Sequence, residues 1–432
     1  MLAHTKSKVL VVCYTNHAVD TFLREILRIG VHESQVVRLG FGGDPQHHSL
    51  NLKHQKGRHD RDERLREDCA EYADRMHRAF SMAQRLPAGA RREALKQALL
   101  AGRAYNESVN ALRDRQLELD RQAICNKRLI ACTTSGAAKY RQAIPDCDVV
   151  IVEEAGEVLE SHVLTALQPS TSQLVLIGDH QQLRPKTRSF KLTVERGDGF
   201  DLNLSLFERL VRRGYEHVTL LRQHRMRPEL SDLVRKLTYP YLEDAVPALE
   251  SVKGLADNIV FIDHKEPESD GVSTEEFDLG ASKQNTHEAD VVRQTARHLF
   301  SHGHRDIVVL TPYLGQLYCL VDHLSGDFDV LCTGAMARPR RGRPMIRAAT
   351  VDSFQGEEAD IAIVSMTRSN TEREIGFMAF PQRVNVMLSR ARLGLIVVAN
   401  LDTFCLSPHG DSTWPRLREL VKDHIYTELP VA

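Results

Sequence analysis

No apolar run in the 432 residues approaches the roughly 20 needed to cross a bilayer as a helix. No secretory leader is expected, since Val9–Tyr14 is too short for a leader core and no small-residue cleavage site follows it. The expected location is therefore intracellular, cytoplasmic or nuclear, with no membrane partner. Eight scattered cysteines contain no C-x-x-C pair, which argues against both a disulfide framework and a zinc site. There is no excess of charge of either sign, since 57 Lys and Arg face 58 Asp and Glu for a net charge of −1. That excludes a broadly basic face but leaves room for a local basic groove. Repeats and long low-complexity segments are also absent.

What is present is a rhythm. Short apolar runs of strand length alternate with amphipathic stretches, the pattern of parallel sheets with crossover helices. The first half carries VLVVCY (9–14), VVRL (36–39), RLIACTT (128–134), VVIVEE (149–154) and QLVLIGD (173–179). The second carries HVTLL (217–221), NIVFID (258–263), DIVVLT (306–311), RAATVD (347–352), IAIVSM (361–366) and LIVVAN (395–400). Near-continuous Val, Ile and Leu predict sheets covered on both faces. The fold class is α/β, as two parallel-sheet domains with residues 1–43 and 126–200 in the first and 201–432 in the second. Residues 44–125 break the rhythm. Leu65, Cys69, Tyr72, Met76, Ala79, Ala83 and Leu86, then Leu95, Ala98, Gly102, Tyr105, Val109, Leu112 and Leu119, recur at spacings of three, four and seven. With a turn at Pro87–Gly89, this predicts an antiparallel helical hairpin inserted in the first domain. Such a hairpin serves as a stalk with solvated faces or as an arm for a protein partner.

Polar residues gather at the expected carboxyl ends of strands, where open α/β sheets bind ligands. Glu153 and Glu154 follow VVIV, and Asp179 follows LVLIG with His180-Gln181-Gln182 behind it. Paired acids there can hold a magnesium-bound water and polarise an attacking one, or can simply complement a helix N-terminus. Arg222, Arg225 and Arg227 precede a helix opened by Pro228. In FPQRVNVMLSRARLG a continuous helix would bury Val384, Met387, Leu388 and Ala391. Arg383 and Arg390 would then share a second face, and Asn385, Ser389 and Arg392 a third.

Taken in order, VVCYTNHAVD (11–20), RLIACTT (128–134), VIVEEAGE (150–157), LIGDHQQL (176–183), RQHRMRPEL (222–230), LTPYLGQ (310–316), ATVDSFQGEEAD (349–360) and RVNVMLSRARLG (383–394) resemble the motifs of Upf-like superfamily 1 helicases. The likeness is nearest to the subgroup that includes the NFX-type zinc-finger helicases, and it spans roughly residues 8–400. The resemblance implies two RecA-like domains of the P-loop NTPase fold and an ATP-driven helicase or translocase on single-stranded RNA or DNA, RNA favoured. It implies ATP and Mg²⁺ as cofactors, hydrolysis in a cleft between the domains, and a monomer. By position, Glu153 would organise magnesium and Glu154 would orient the attacking water, while Gln182 would sense the terminal phosphate. Arg225 and Arg390 would be arginine fingers. Asp179, His224, Gly356 and Glu358 would border the nucleotide, with His224 stacking on the base. Thr15, Asn16, Thr133, Thr311, Pro312, Tyr313 and Thr350 would line the track of the single strand.

Three departures stand out. The usual Asp of the acidic motif is Glu153, one methylene longer, and the usual Tyr before the first finger is His224. Third, the sequence contains no G-x-x-x-x-G-K-[ST] loop, whose backbone N–H groups and Lys cradle phosphates. Losing about four charge-assisted hydrogen bonds of ~1.5 kcal/mol would weaken nucleotide binding about 10⁴-fold. The expectation is a truncated sequence that also lacks a central strand, leaving the strands beside it short of main-chain partners. A catalytically inactive pseudo-helicase that binds RNA or protein is the alternative. Finally, Arg338, Arg340, Arg341, Arg343 and Arg347 form a basic run. It is either a solvated loop or a phosphate-contacting flap, and for the flap Arg340 and Arg341 are the expected nucleic-acid contacts.

Overall fold

The computed structural model describes residues 2, 5–40, 49–55, 60–247, 249–270, 282–332, 343–409 and 412–432. The chain divides into two compact units, 1–178 with 185–209, and 179–184 with 210–432. The boundary expected at 200/201 thus falls at 209/210, and Asp179–Arg184 groups with the second unit.

In the first unit, β1 (Val9–Cys13), β2 (Val36–Arg38), β3 (Leu129–Thr133), β4 (Val149–Glu153) and β5 (Gln173–Leu176) form one sheet in the order β2-β3-β1-β4-β5. Every pairing in it is parallel. β1 is central and wholly buried, which is why its sequence is continuously apolar. It pairs on both sides, with β3 and β4. β5 differs: among the described residues it pairs only with β4, its apolar residues are half-buried, and Ile177 beyond it is exposed.

The insertion is a hairpin of two helices, Asp60–Arg85 and Ala88–Cys125. Ala83 and Ala98 are buried in its seam, and Leu119 is buried farther along the second helix, past the start of the first. Leu95 and Val109, expected there, are exposed, and Ala94 and Ser108 take the inward positions. Over 38 residues a straight helix drifts away from a strict seven-residue repeat, so a stripe extrapolated along its length slips by one position.

The second unit opens with the short pair β6 (Arg222–Gln223) and β7 (Glu243–Asp244). Its main sheet uses β8 (Ile259–Asp263) and, after the pair β9 (Ser269–Asp270) and β10 (Lys283–Gln284), β11 (Ile307–Thr311), β12 (Asp329–Cys332), β13 (Met345–Thr350), β14 (Ala359–Ser365), β15 (Ala391–Ala399) and β16 (Ile425–Tyr426). The order is β12-β13-β11-β14-β15-β8-β16, all parallel. One apolar cluster, around Phe261, Val364, Met387 and Trp414, covers one face. Another, around Val292, Leu299, Leu320 and Phe328, covers the other. Two sequence expectations fail here. HVTLL (217–221) forms no strand, and its Val218 and Leu220 are 91% and 85% exposed. The helix through RVNVML stops at Leu388, and Ala391 already begins β15. The apolar run LGLIVVA takes the strand, so Arg390 shares no helical face with Arg383.

No helix among the described residues is long and apolar enough to cross a membrane.

Candidate functional site

In the first unit the register brings Thr133, Cys13 and Glu153 into one row at the carboxyl ends of β3, β1 and β4. The chain then turns into a helix after β1 and after β3, and a threonine caps each one. Thr15 Oγ1 accepts from Ala18 N at 3.1 Å, and Thr133 Oγ1 accepts from Gly136 N at 3.2 Å. Thr15 and Asn16 are exposed, and Thr133 is half-buried. Asn16 Oδ1 accepts from Arg38 Nη2 at 3.0 Å. Arg38 is itself buried and donates through Nε to Asp20 at 2.7 Å. The helix Asn16–Arg28 is thereby tied to β2.

Beyond β4 the acid pair sits on a strained turn. Glu154 has φ +54°, a left-handed conformation uncommon for a residue with a side chain. The turn is braced by Ala155 N donating to Ile177 O at 2.8 Å. Gly178 permits this approach, because a Cβ there would lie 2.7 Å from Gly156 N. Burial, reinforced by the neighbouring Glu154 charge, pushes the Glu153 carboxyl up to about 7. Two acids held this close in a half-buried place favour a cation beside them. No group of three or more His, Cys, Asp or Glu able to hold a metal occurs among the described residues. Glu153 could offer one carboxylate to a hydrated magnesium ion, which suits the ion's reluctance to dehydrate. When bound, it would neutralise charge on a transferred phosphoryl group.

In the second unit, residues far apart in sequence converge on Arg225. Its Nε donates to Glu358 Oε2 at 2.6 Å and its Nη1 to Ser389 O at 3.0 Å. Arg390 lies behind it, 1% exposed, with Nε on Val386 O, Nη1 on Glu357 O and Nη2 on Ser389 Oγ at 2.8, 3.2 and 2.7 Å. Its guanidinium holds backbone together in this conformation. His224 is exposed, as is Gly356, whose φ is +79°. Asp179 accepts from Gln182 Nε2 at 3.1 Å and from Tyr239 Oη at 2.6 Å. Tyr239 Oη in turn accepts from Asn385 Nδ2 at 2.6 Å. Burial and the Asp179 charge push the Tyr239 phenol upward, so it stays a donor.

The threonines of the expected strand track occupy strand ends here as well. Thr311 pairs in register with Thr350 across β11 and β13. Thr350 caps the turn Val351–Ser353 with reciprocal bonds to Ser353. Thr311 and Tyr313 are buried rather than presented: Thr311 Oγ1 bonds Thr367 Oγ1 at 3.1 Å, and Tyr313 Oη donates to Ile375 O at 3.1 Å. Pro312 between them is half-buried. In the basic run, Arg338, Arg340 and Arg341 lie outside the described residues. Arg347 is committed to Asp306 at 2.6 Å and Glu357 at 3.3 Å, and Arg343 donates to Ser325 O at 2.7 Å.

Sequence reasoning missed Tyr239, Glu288 and Thr367. Glu288 is fully buried and its Oε2 accepts from Ser365 Oγ at 2.5 Å and Thr367 N at 2.8 Å, while Oε1 faces His264 Nε2 at 3.1 Å. Thr367 has φ +71°, an outlier for a β-branched residue. The sequence signal for such a role is slight: Glu288 is a charged residue on the apolar stripe of its helix.

Comparison with known proteins follows the same division. Residues 1–189 and 202–402 each match a family model described as an AAA domain. The chain is 35% identical over 328 residues to mouse NFX1-type zinc finger-containing protein 1, covering 74% of the chain and 16% of that protein. It is 34% identical over 343 residues to a helicase required for RNAi-mediated heterochromatin assembly from Schizosaccharomyces pombe, covering 74% and 31%. It is 31% identical over 297 residues to a regulator of nonsense transcripts 1 homolog from Neurospora crassa, covering 67% and 26%. Among solved structures, an arterivirus nonstructural protein 10 helicase with DNA aligns at 13% identity and TM-score 0.40, over 98% of this chain and 58% of that one. The chain spans between about a sixth and a third of the length of these curated relatives.

Proposed function

We propose that this chain, which belongs to the Upf1-like group of superfamily 1 helicases, forms most of the motor core of an ATP-dependent translocase on single-stranded nucleic acid, RNA in preference to DNA. The observation that carries the reading is the placement of the acid pair. Glu153 and Glu154 stand at the end of an inner parallel strand, on a turn that is strained and braced, with Glu153 raised to about 7. A strained, charge-poor acid turn has no benefit for folding, and suits one acid for metal and the other for the attacking water.

Arg225 is positioned by Glu358 to stabilise charge on a transferred phosphoryl group, and Arg390 holds the backbone behind it. Thr15, Asn16, Thr133 and Thr350 present hydroxyl, amide and helix N-terminal groups that position a phosphate backbone without reading bases. Thr311 and Tyr313 support the track from inside rather than touching the strand. The G-x-x-x-x-G-K-[ST] loop is not among these 432 residues. ATP turnover is therefore assigned to a protein that joins this chain to such a loop, and single-strand binding to the chain itself. The binding assignment is tested by titrating labelled single-stranded RNA and DNA of mixed sequence at several salt concentrations. Salt-dependent binding with little sequence preference and tighter RNA affinity supports the reading. Absence of binding at low salt overturns it.

A further inference from the structure

We infer that Phe377 is a stacking platform for a base of the bound single strand, an inference that rests on the nucleic-acid reading above. Two sequence motifs, LTPYLGQ through Tyr313 and RVNVML through Arg383, meet at this side chain, and a third, ATVDSF, holds Arg383 through Asp352. The Tyr313 ring lies 5.5 Å from the Phe377 ring at 35°. The Arg383 guanidinium lies 5.2 Å from its centroid and donates through Nη1 to Phe377 O at 3.3 Å. Arg383 is held by Asp352 through Nε at 2.9 Å and Nη2 at 3.0 Å, two residues beyond Thr350.

The segment that presents Phe377 is fixed at several points. Asn370 Oδ1 accepts from Glu374 N at 2.8 Å and Asn370 Nδ2 donates to Glu374 O at 3.0 Å. Tyr313 Oη donates to Ile375 O, and Trp414 Nε1 donates to Met378 O at 2.8 Å. Arg373 and Gly376 both have positive φ, and a Cβ on Gly376 would collide with the Tyr313 hydroxyl. So much fixing of a short segment costs conformational freedom. Yet Phe377 is 43% exposed, while Ile375 and Met378 on either side are fully buried. A ring needed only for packing would follow its neighbours inward. Phe80, Phe190 and Phe200 are also exposed, but no comparable seat of an aromatic ring and an arginine surrounds them among the described residues.

A rigid, outward-facing ring beside a guanidinium is what a flat heteroaromatic base needs, since every base has a π-face and the neighbouring cation favours its phosphate. The shared chemistry is the base, so RNA and DNA both qualify. The test measures the affinity of the full chain, as wild type, Phe377→Ala and Phe377→Trp, for single-stranded RNA and DNA 12-mers and for an abasic 12-mer of the same charge. We expect Phe377→Ala to lose about 5- to 150-fold on both base-bearing strands, with an unchanged salt slope. Phe377→Trp should retain binding, and the abasic strand should bind wild type and Phe377→Ala alike. A 2-aminopurine in the strand should be quenched by the wild type and less by Phe377→Ala. If the wild type binds and Phe377→Ala binds base-bearing strands equally well, the stacking inference alone is overturned. It is also overturned if Phe377→Ala weakens the abasic strand as much as the others. If the wild type binds no strand, the nucleic-acid reading falls and the stacking inference with it.

Discussion

Arg225 Nε and Glu358 Oε2 meet at 2.6 Å across 133 positions of sequence, and the same guanidinium reaches Ser389 O. A carboxylate that pins an arginine beside a backbone carbonyl fixes where its remaining N–H groups point. In a protein that joins this chain to a phosphate-binding loop, Arg225→Ala should lower NTP turnover by about 10³-fold or more while single-strand affinity changes little. Arg225→Lys should rescue poorly, because an ammonium cannot satisfy both partners with a fixed fork. Turnover and binding measured on the same preparations check this.

The acid pair makes a prediction about stability and pH. Burial and Glu154 raise Glu153 from 4.5 to about 7. A carboxyl raised on folding binds its proton more tightly in the folded state. The folded state therefore loses stability as pH rises from about 4.5 to about 7, and that loss is complete above this window. Without metal, Glu153→Gln should leave Tm nearly unchanged at pH 4.5 and raise it by a few degrees at pH 8. Thermal melts of the two proteins across that range read the difference directly. Equal Tm differences at both pH values would refute the account of the site.

Glu288 and Thr367 are coupled by strain. Glu288 Oε2 accepts the backbone N–H of a threonine whose φ is +71°. Glu288→Ala should destabilise the second unit by about 3 kcal/mol or more, because it leaves the Ser365 hydroxyl and the Thr367 amide buried without their acceptor. Thr367→Gly relieves the positive φ but also removes the buried bond to the Thr311 hydroxyl, so its loss should be well below that of Glu288→Ala. In the double variant the loss should depart from the sum of the two single losses, because both changes act on one hydrogen-bonded network. Denaturant titrations of the three variants measure that coupling.

Tyr239 links Asp179 to Asn385 through a single hydroxyl, at 2.6 Å on each side. Tyr239→Phe should cost about 1–3 kcal/mol, since buried polar groups on both sides lose a partner. Adding Asn385→Leu should recover only part of that loss in denaturant titrations, since Asp179 still lacks its donor and Gln181 O loses its bond from Asn385.

Much of the fold is legible in the sequence, for an identifiable reason. β1, β4, β11, β14 and β15 are covered on both faces, so their apolar runs stand out without any partner information. HVTLL has the same look and forms no strand, because an apolar run states a preference for burial and not the presence of a neighbour. β12 gives no such signal, since DVLC is short, starts with a charge and is only half-buried. At the site, threonines and acids at strand ends can be picked out because each follows directly on its strand. Tyr239, Glu288 and Phe377 cannot, because each has a partner far away in sequence, Asp179, Ser365 and Tyr313 in turn, that only the folded sheet brings to it.

The central claim is that the strained acid pair serves phosphoryl transfer driven by a nucleic-acid track. Its most direct test is single-strand-stimulated ATP hydrolysis in a protein joining this chain to a phosphate-binding loop, measured beside the Glu154→Gln variant. The account predicts turnover that rises on adding single-stranded RNA and falls by orders of magnitude in Glu154→Gln, with RNA binding retained. Turnover that ignores RNA, or that Glu154→Gln leaves unchanged, would contradict it.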